Sequence, residues 1–169
     1  MFYEPKNGHG LPHNPFGAII SPRPIGWIST RSAAGIDNLA PYSFFQGVTA
    51  NPPTLLVVVA NKRDGGIKDT LRNVEETREF TVSLVPFALA EAMNATSASL
   101  PHGESEFERF GVAAAASVRV RPPRVATSTL ACAAARSTLH QRSSPAAASF
   151  AARARKKSIC ADPARSTSA

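Results

Sequence analysis

Glycine is absent from the last third of this 169-residue chain, although ten glycines lie in residues 1–112. Cysteine is scarce, and the two cysteines, Cys132 and Cys160, form no CxxC pair, which argues against a disulfide framework and a zinc site. The longest strongly apolar run, Leu55–Ala60, is far shorter than the roughly 18–20 residues that a membrane-spanning helix needs. The N-terminus lacks the basic and apolar segments of a signal peptide, so we expect a cytoplasmic protein without a membrane span.

Acidic residues are almost missing from the same last third. Residues 1–112 carry nine basic and eleven acidic residues, whereas residues 113–169 carry ten basic and one acidic, so the net charge of +7 comes from the end of the chain. Alanine, serine and arginine make up 35 of those last 57 residues. Without a stable apolar period, ordering this part would not repay a cost of roughly 1–2 kcal/mol per residue. We therefore predict a folded domain over 1–125 and an Ala/Ser/Arg-rich disordered tail over 126–169.

Several kinds of site lack their usual residue patterns. Positive charge alone gives non-specific affinity for phosphate, but aromatics that would stack on bases are nearly absent from the tail, so we expect no specific nucleic-acid binding. His9, His13 and His102 lie in predicted loops without metal-ligand spacing, so we expect no metal site. Neither GxxxxGK[ST] nor GxGxxG occurs, which leaves a P-loop and a Rossmann nucleotide site unsupported.

What the first part does contain is short apolar and β-branched segments separated by turn residues. The predicted strands are Ala18–Ile20, Ile25–Thr30, Leu39–Val48, Thr54–Ala60 and Glu79–Leu84, with a hairpin turn over residues 31–37 that contains Gly35. The predicted helices are Thr70–Thr77, Pro86–Thr96 and Ser105–Phe110. In the first of these Asp69 is the N-cap, and Leu71 and Val74 share the inward face at spacing i, i+3. This pattern is typical of a mainly β protein with short helices, either a β-barrel or an α+β domain.

The segment PRPIGWISTRSAAGIDNLAPYSFF, residues 22–45, resembles the flavin reductase-like family of FMN-binding split β-barrels. Further matches follow in the family's order: an NPP loop at 51–53, a KDT element at 68–70 and an MN-TS element at 93–97, with a Pro-x-Gly at 101–103 and Glu106-Phe107 behind it. The resemblance implies an FMN-binding split barrel. Family members continue with more strands beyond the PPR segment, so here we expect the barrel to be incomplete.

By this resemblance, the chain is an FMN-binding oxidoreductase, an NAD(P)H:flavin reductase that passes hydride to FMN. The family also implies a homodimer with the flavin near the subunit interface, and a flavin-dependent monooxygenase as electron acceptor. Because the flavin performs the difficult chemistry, we assign no catalytic acid, base or nucleophile. Two alternatives stay open: a flavoredoxin-like FMN electron carrier, and a non-functional truncated product of a flavin reductase gene.

The resemblance also implies a set of flavin-binding residues. A flavin ring needs a flat apolar bed with polar edges, and its phosphate needs backbone N–H groups, hydroxyls and a cation. Lys68 and Thr70 would approach the phosphate. The residues that would line the flavin are Ile28, Ser29, Thr30, Asn38, Ala40, Tyr42 and Ser43.

Ordinary structural roles stay open for several of these residues and their neighbours. Lys68 is also consistent with a solvated surface lysine, and Ser29 and Thr30 with ordinary strand residues. Trp27 fits packing or a dimer contact better than stacking on a flavin. Arg23, between two prolines, is expected to pair with a carboxylate near the start of the strand.

The change of composition coincides with the loss of family resemblance. An amino-acid sequence that is rich in alanine, serine and arginine and lacks glycine is typical of a GC-rich gene translated out of frame. We therefore hypothesise a frameshift or a wrong gene model beginning near residues 126–130. Such a change would remove the strands that complete the barrel and would leave sheet edges unpaired.

Overall fold

The computed structural model describes residues 4–13, 15–62, 64–128, 131–144 and 147–160, and from residue 132 onward it describes the backbone. Within these ranges the chain is mainly β with short helices, as the sequence predicts. The strands are β1 Gly26–Arg31, β2 Asp37–Tyr42, β3 Phe45–Ala50, β4 Pro53–Ala60, β5 Glu79–Ser83, β6 Ala114–Ala115, β7 Arg124–Val125, β8 Ala131–Ser144 and β9 Ala147–Cys160. The α-helices are α1 Pro15–Ile19, α2 Asp69–Thr77, α3 Ala90–Ala95 and α4 Glu106–Arg109. None of the described helices is long and apolar enough to cross a bilayer.

The segment before β1 differs from the prediction. The strand predicted over Ala18–Ile20 is wrong, because most of this stretch belongs to the short helix α1. The guanidinium of Arg23 donates hydrogen bonds to the carbonyls of Gly17 and Ile20, groups that a helix end leaves without partners. The expected carboxylate partner of Arg23 is therefore also wrong. Arg23 holds backbone carbonyls instead.

Seven strands form one sheet in the order β2-β1-β5-β8-β9-β4-β3, and β6 pairs with β7 in a small separate sheet. Neighbouring strands of the large sheet are antiparallel. Among the described residues this sheet does not close on itself, so β2 and β3 lie at its two edges.

The β1–β2 hairpin confirms the predicted turn over residues 31–37. Gly35 has a φ of 90°, a conformation that glycine adopts without steric cost, and Thr30 faces Asn38 across the hairpin. The single strand predicted over Leu39–Val48 is instead divided into β2 and β3. The division follows from pairing, because β2 pairs with β1 whereas β3 pairs with β4.

Two apolar clusters pack on the sheet. The first cluster comprises Ile28, Tyr42, Val57, Val59, Leu71, Val74, Phe80 and Val82. The second comprises Trp27, Leu39, Phe107 and Val125. Helix α2 contributes Leu71 and Val74 at the predicted i, i+3 spacing, and both side chains are fully buried. Its N-cap position is occupied by Lys68 and not by the predicted Asp69.

The two edge strands of the sheet are protected to different extents. On β2, the backbone N–H of Leu39 donates to Oε2 of Glu106 at 2.9 Å, and Pro41 has no N–H to present. On β3, five of the six residues are exposed, including the apolar side chain of Val48. Among the described residues β3 pairs with β4 alone. Its outer edge is therefore the accessible one.

The hairpin β8–β9 lies between β5 and β4, where β8 pairs with residues 79–83 and β9 pairs with residues 54–60. The sequence predicts a disordered tail over residues 126–169, which stays a prediction, and the structure describes backbone pairing over β8 and β9. A β-ladder requires only backbone N–H and C=O groups, which any non-proline residue supplies. Such pairing leaves no apolar period in the sequence from which it could be predicted. Residues 161–169 lie outside the described residues.

Candidate functional site

A polar pocket lies beside β2, where the end of β4, the start of α2 and the segment after α3 converge. Its cavity has a volume of about 120 Å³. The lining residues are Asn38, Ala40, Pro41, Tyr42, Lys62, Lys68, Asp69, Thr70, Thr96, Ser97, Ala98, Ser99, Leu100 and Glu106. We call this the two-lysine pocket.

The two lysines reach the pocket from different elements. Lys62 follows β4, and Lys68 immediately precedes α2. The ammonium group of Lys68 lies 5.5 Å from the centroid of the Tyr42 ring, within range of a cation–π contact. Burial lowers the pKa of Lys68, and the positive charge of Lys62 lowers it further. Both causes disfavour the charged form of Lys68, so a bound anion would offset them.

The first turn of α2 adds a second source of positive potential. The amides of Leu71 and Arg72 already donate to the Lys68 carbonyl, whereas the amides of Asp69 and Thr70 have no partner within the helix. Backbone N–H groups at a helix start favour a nearby anion. The Thr70 side chain is held in place because its Oγ1 accepts a hydrogen bond from Nδ2 of Asn38 at 2.8 Å.

Two carboxylates border the same pocket, and each has a partner other than a lysine. Oδ1 of Asp69 lies 2.6 Å from Nδ1 of His102. Glu106 is 7% exposed and accepts the Leu39 amide described above. Burial raises the pKa of Glu106. Among the residues that the structure describes, neither Lys62 nor Lys68 forms an ion pair with these carboxylates.

The structure brings five of the nine predicted flavin-binding residues into this pocket. They are Asn38, Ala40, Tyr42, Lys68 and Thr70. Lys68 lines the pocket with its ammonium group near the Tyr42 ring, and the alternative of a solvated surface lysine stays a prediction.

The other four predicted residues lie elsewhere. Ile28, Ser29 and Thr30 on β1 are completely buried. Thr30 Oγ1 accepts a hydrogen bond from Nδ2 of Asn73 on α2. Ser43 lines a different groove, together with Arg23.

Sequence reasoning missed several lining residues. Thr96, Ser97 and Glu106 belong to segments that matched the family pattern, but no ligand-binding role followed from those matches. Lys62 and Ser99 had no sequence signal, because they approach the pocket only after β4 and the segment following α3 have packed beside α2. A three-dimensional convergence of this kind leaves no spacing pattern in the chain.

A second cavity of about 280 Å³ adjoins the first. Asn38 and Asp69 line both cavities, so these two residues form the shared wall. The second cavity is bordered by the β1–β2 turn, the outer side of α2 and the loop that carries His102. In the described part of the chain, no group of three or more potential ligands could hold a metal ion.

Comparison with known families gives the pocket its context. The model of the flavin reductase like domain matches residues 19–157, which is most of the chain. The chain belongs to this family. The family is one of oxidoreductases that bind flavin, and the two-lysine pocket lies within the matched region.

Sequence similarity to curated relatives is confined to part of the chain. An uncharacterised protein of Aquifex aeolicus is 43% identical over 107 residues, which is 63% of this chain and 55% of the relative. The chain thus spans about half the length of the curated relatives it matches. The family model extends to residue 157, whereas the pairwise match covers 107 residues. The frameshift near residues 126–130 stays a hypothesis.

Solved structures show the same fold. Nitrilotriacetate monooxygenase component B from Bacillus cereus is 28% identical, with a TM-score of 0.79 over 97% of this chain and 82% of that one. The 2-nitrobenzoate 2-nitroreductase NbaA of Pseudomonas fluorescens is 25% identical, with a TM-score of 0.71 over 85% of this chain and 66% of that one. At 16% identity, the flavoredoxin of Desulfovibrio vulgaris and the NADH:FAD oxidoreductase SgcE6 of Streptomyces globisporus share the fold alone. The predicted split-barrel fold is confirmed.

Proposed function

We propose that this chain binds FMN and that the flavin phosphate occupies the two-lysine pocket. The observation that carries this proposal is the convergence of Lys62 and Lys68 beside the start of α2. Hydroxyl-bearing residues Ser97 and Ser99 line the same small cavity. Cations, hydroxyls and helix-start amides are the groups that bind a phosphate in proteins.

The electrostatics of the pocket fit a dianion. Lys68 is disfavoured as a cation by burial and by Lys62, and a phosphate between the two ammonium groups would offset both effects. Asp69 and Glu106 would repel the phosphate, but each is engaged by another group, His102 and the Leu39 amide respectively.

The rest of the flavin requires a larger surface than this cavity. Ligand pockets typically measure about 300–1,000 Å³, and a cavity of about 120 Å³ holds only one end of FMN. Asn38 and Ala40 of β2 would line the ring. In the hairpin register Ile28 lies opposite Ala40, so β1 flanks β2 in the same sheet on this side of the pocket. A second copy of the chain would cover the exposed side of the ring in a homodimer.

When bound, FMN supplies the hydride-accepting chemistry, with NAD(P)H as the donor. The chain's own contribution is to bind and orient. Lys62 and Lys68 hold the phosphate, the Asn38–Thr70 hydrogen bond fixes β2 against α2, and Tyr42 forms the apolar wall below Lys68. No residue of the pocket is needed as a general acid or base in this scheme.

A monooxygenase component is the proposed acceptor of the reduced flavin. The support is the similarity to a protein described as component B of nitrilotriacetate monooxygenase, the structural neighbour that this chain covers most fully among those described above. An FMN-loaded protein that does not oxidise NADH or NADPH would instead favour a flavoredoxin-like electron carrier.

The test compares FMN with riboflavin, which lacks the phosphate. Lys62→Met and Lys68→Met should each weaken FMN binding by about tenfold or more, the loss expected for a hydrogen bond to a charged group, and should leave riboflavin binding unchanged. Lys6→Met is the matched control, because the side chain of Lys6 is 77% exposed and lies outside the pocket. Titrations followed by flavin fluorescence give both affinities.

Two outcomes would contradict the proposal. One is an equal loss of FMN and riboflavin affinity in the lysine variants, which would indicate general damage to the fold. The other is FMN binding that neither lysine affects. A wild-type chain that binds neither flavin would favour the alternative of a non-functional truncated product.

A further inference from the structure

Trp27 is the largest fully buried side chain in the described part of the chain. Besides packing in the core, it forms one hydrogen bond to a residue far away in the sequence. Its indole N–H donates a hydrogen bond to Oγ1 of Thr96 at 2.9 Å, although the two residues are 69 positions apart in the chain. Trp27 lies on β1 and Thr96 follows directly after α3. A buried indole N–H requires an acceptor, and here the acceptor belongs to the segment that borders the two-lysine pocket.

Thr96 connects the indole to the two-lysine pocket. Its hydroxyl accepts from Trp27 and donates to the carbonyl of Met93 at 2.7 Å, so both functions of the hydroxyl are used within the protein. Thr96 is 1% exposed and begins the stretch 96–100 that forms one wall of the pocket. The position of that wall is therefore fixed at its first residue by a group on β1.

The far end of the same wall contacts a lysine. The ammonium group of Lys62 lies 3.5 Å from the carbonyl of Leu100, at the limit of a hydrogen bond. This contact is weak and the lysine is flexible, so it cannot determine where the segment leaves α3. The strong anchor is the one at Thr96.

We propose that Trp27 is a positioning residue for the two-lysine pocket. Its N–H acts through Thr96 to hold the segment 97–100 at the distance from Lys62 and Lys68 at which hydroxyls and ammonium groups contact the same phosphate. This inference rests on the proposed FMN function and adds a residue that does not touch the ligand.

The variant that separates positioning from packing is Trp27→Phe, which keeps a buried aromatic ring and removes the N–H donor. We expect it to weaken FMN binding by roughly tenfold, the effect of about one buried hydrogen bond, with riboflavin binding unchanged. A purely structural role would lower both affinities together or neither. The ratio of the two affinities is thus the readout.

Thr96 provides the matched pair of controls. Thr96→Ser keeps the hydroxyl and should retain the wild-type ratio of FMN to riboflavin affinity, whereas Thr96→Val keeps the shape and should reproduce the Trp27→Phe ratio. Combining Trp27→Phe with Thr96→Val should add little to Thr96→Val alone, because Thr96→Val already removes the acceptor of the indole N–H.

Hydrogen exchange tests the positioning without any flavin. In the ligand-free chain, Trp27→Phe should speed the exchange of the amides of residues 97–100 and leave those of α2 unchanged. Unchanged exchange at 97–100 would overturn the inference, as would equal losses for FMN and riboflavin. Faster exchange in a chain whose wild type binds no FMN would support the positioning role of Trp27 and would overturn the FMN assignment of the pocket.

Discussion

The part of the chain up to residue 128 and the hairpin β8–β9 belong to the same sheet, but the residues that line the two-lysine pocket all come from the first part. In the first part, buried side-chain pairs such as Asn38–Thr70 and Asn73–Thr30 join α2 to the β1–β2 hairpin. The hairpin is defined by backbone pairing with β5 on one side and β4 on the other. Backbone pairing fixes the position of a strand in the sheet. The charged and hydroxyl groups of the two-lysine pocket are side chains of the first part.

The largest expected effect tests the side-chain half of this comparison. Phe80 on β5 is fully buried in the first apolar cluster. Phe80→Ala should lower the free energy of unfolding by about 3–5 kcal/mol, because the change removes buried apolar contacts and leaves a cavity. Urea denaturation followed by circular dichroism measures this loss. A loss below about 1 kcal/mol would mean that the cluster does not determine the stability of the first part.

The next effect tests the backbone half. Residue Ala151 on β9 is paired with Leu56 on β4 and with Thr138 on β8, so it lies within the sheet. Ala151→Pro should destabilise the chain by about 1–3 kcal/mol, because it removes a backbone donor and leaves a carbonyl without a partner.

Ala151→Ser is the matched control, since it keeps the backbone N–H and should leave the unfolding midpoint close to that of the wild type. If the proline and the serine variants unfold alike, the hairpin does not contribute to the sheet through its backbone. The same denaturation experiment serves both variants.

A smaller effect sharpens the comparison at the edge strand β2. Glu106→Ala removes the acceptor of the Leu39 amide and should cost about 1–3 kcal/mol, because the buried N–H loses its partner. Glu106→Gln keeps an acceptor oxygen and should cost less. Equal losses in the two variants would show that the hydrogen bond is not the source of the effect.

The same carboxyl predicts a pH dependence. Because burial raises the pKa of Glu106 in the folded protein, the folded state binds this proton more tightly than the unfolded chain does. Its contribution to stability is therefore complete below the unfolded pKa and is lost as the pH rises through the raised folded pKa. Unfolding midpoints measured across that window should fall in the wild type and stay flatter in Glu106→Gln.

The smallest expected effect concerns the contact between His102 and Asp69. The side chain of His102 is 60% exposed, and exposed ion pairs contribute between about 0 and 1 kcal/mol. His102→Ala should therefore change the free energy of unfolding by less than about 1 kcal/mol, and added salt should reduce the difference further. A larger loss would indicate that the loop carrying His102 is a structural part of the fold.

The sequence predicted those features that depend on neighbours in the chain. The β1–β2 turn around Gly35, the strand β4 and the inward residues of α2 follow from local period and turn chemistry. The helix α1 was missed because its carbonyls are held by Arg23, which no periodicity shows. Lys62 was missed because its approach to Lys68 depends on packing between elements that are separate in sequence.

The unequal edges of the sheet limit how copies of this chain could associate through backbone pairing. With β2 blocked by Pro41 and by the carboxylate on the Leu39 amide, β3 is the accessible edge in the described part of the chain. Growth of a fibre by strand addition requires two unpaired strand edges on each molecule, one for each neighbouring molecule. A molecule with one such edge can pair only with the same edge of a second copy, related by a two-fold axis. Assembly by strand addition would therefore stop at a dimer.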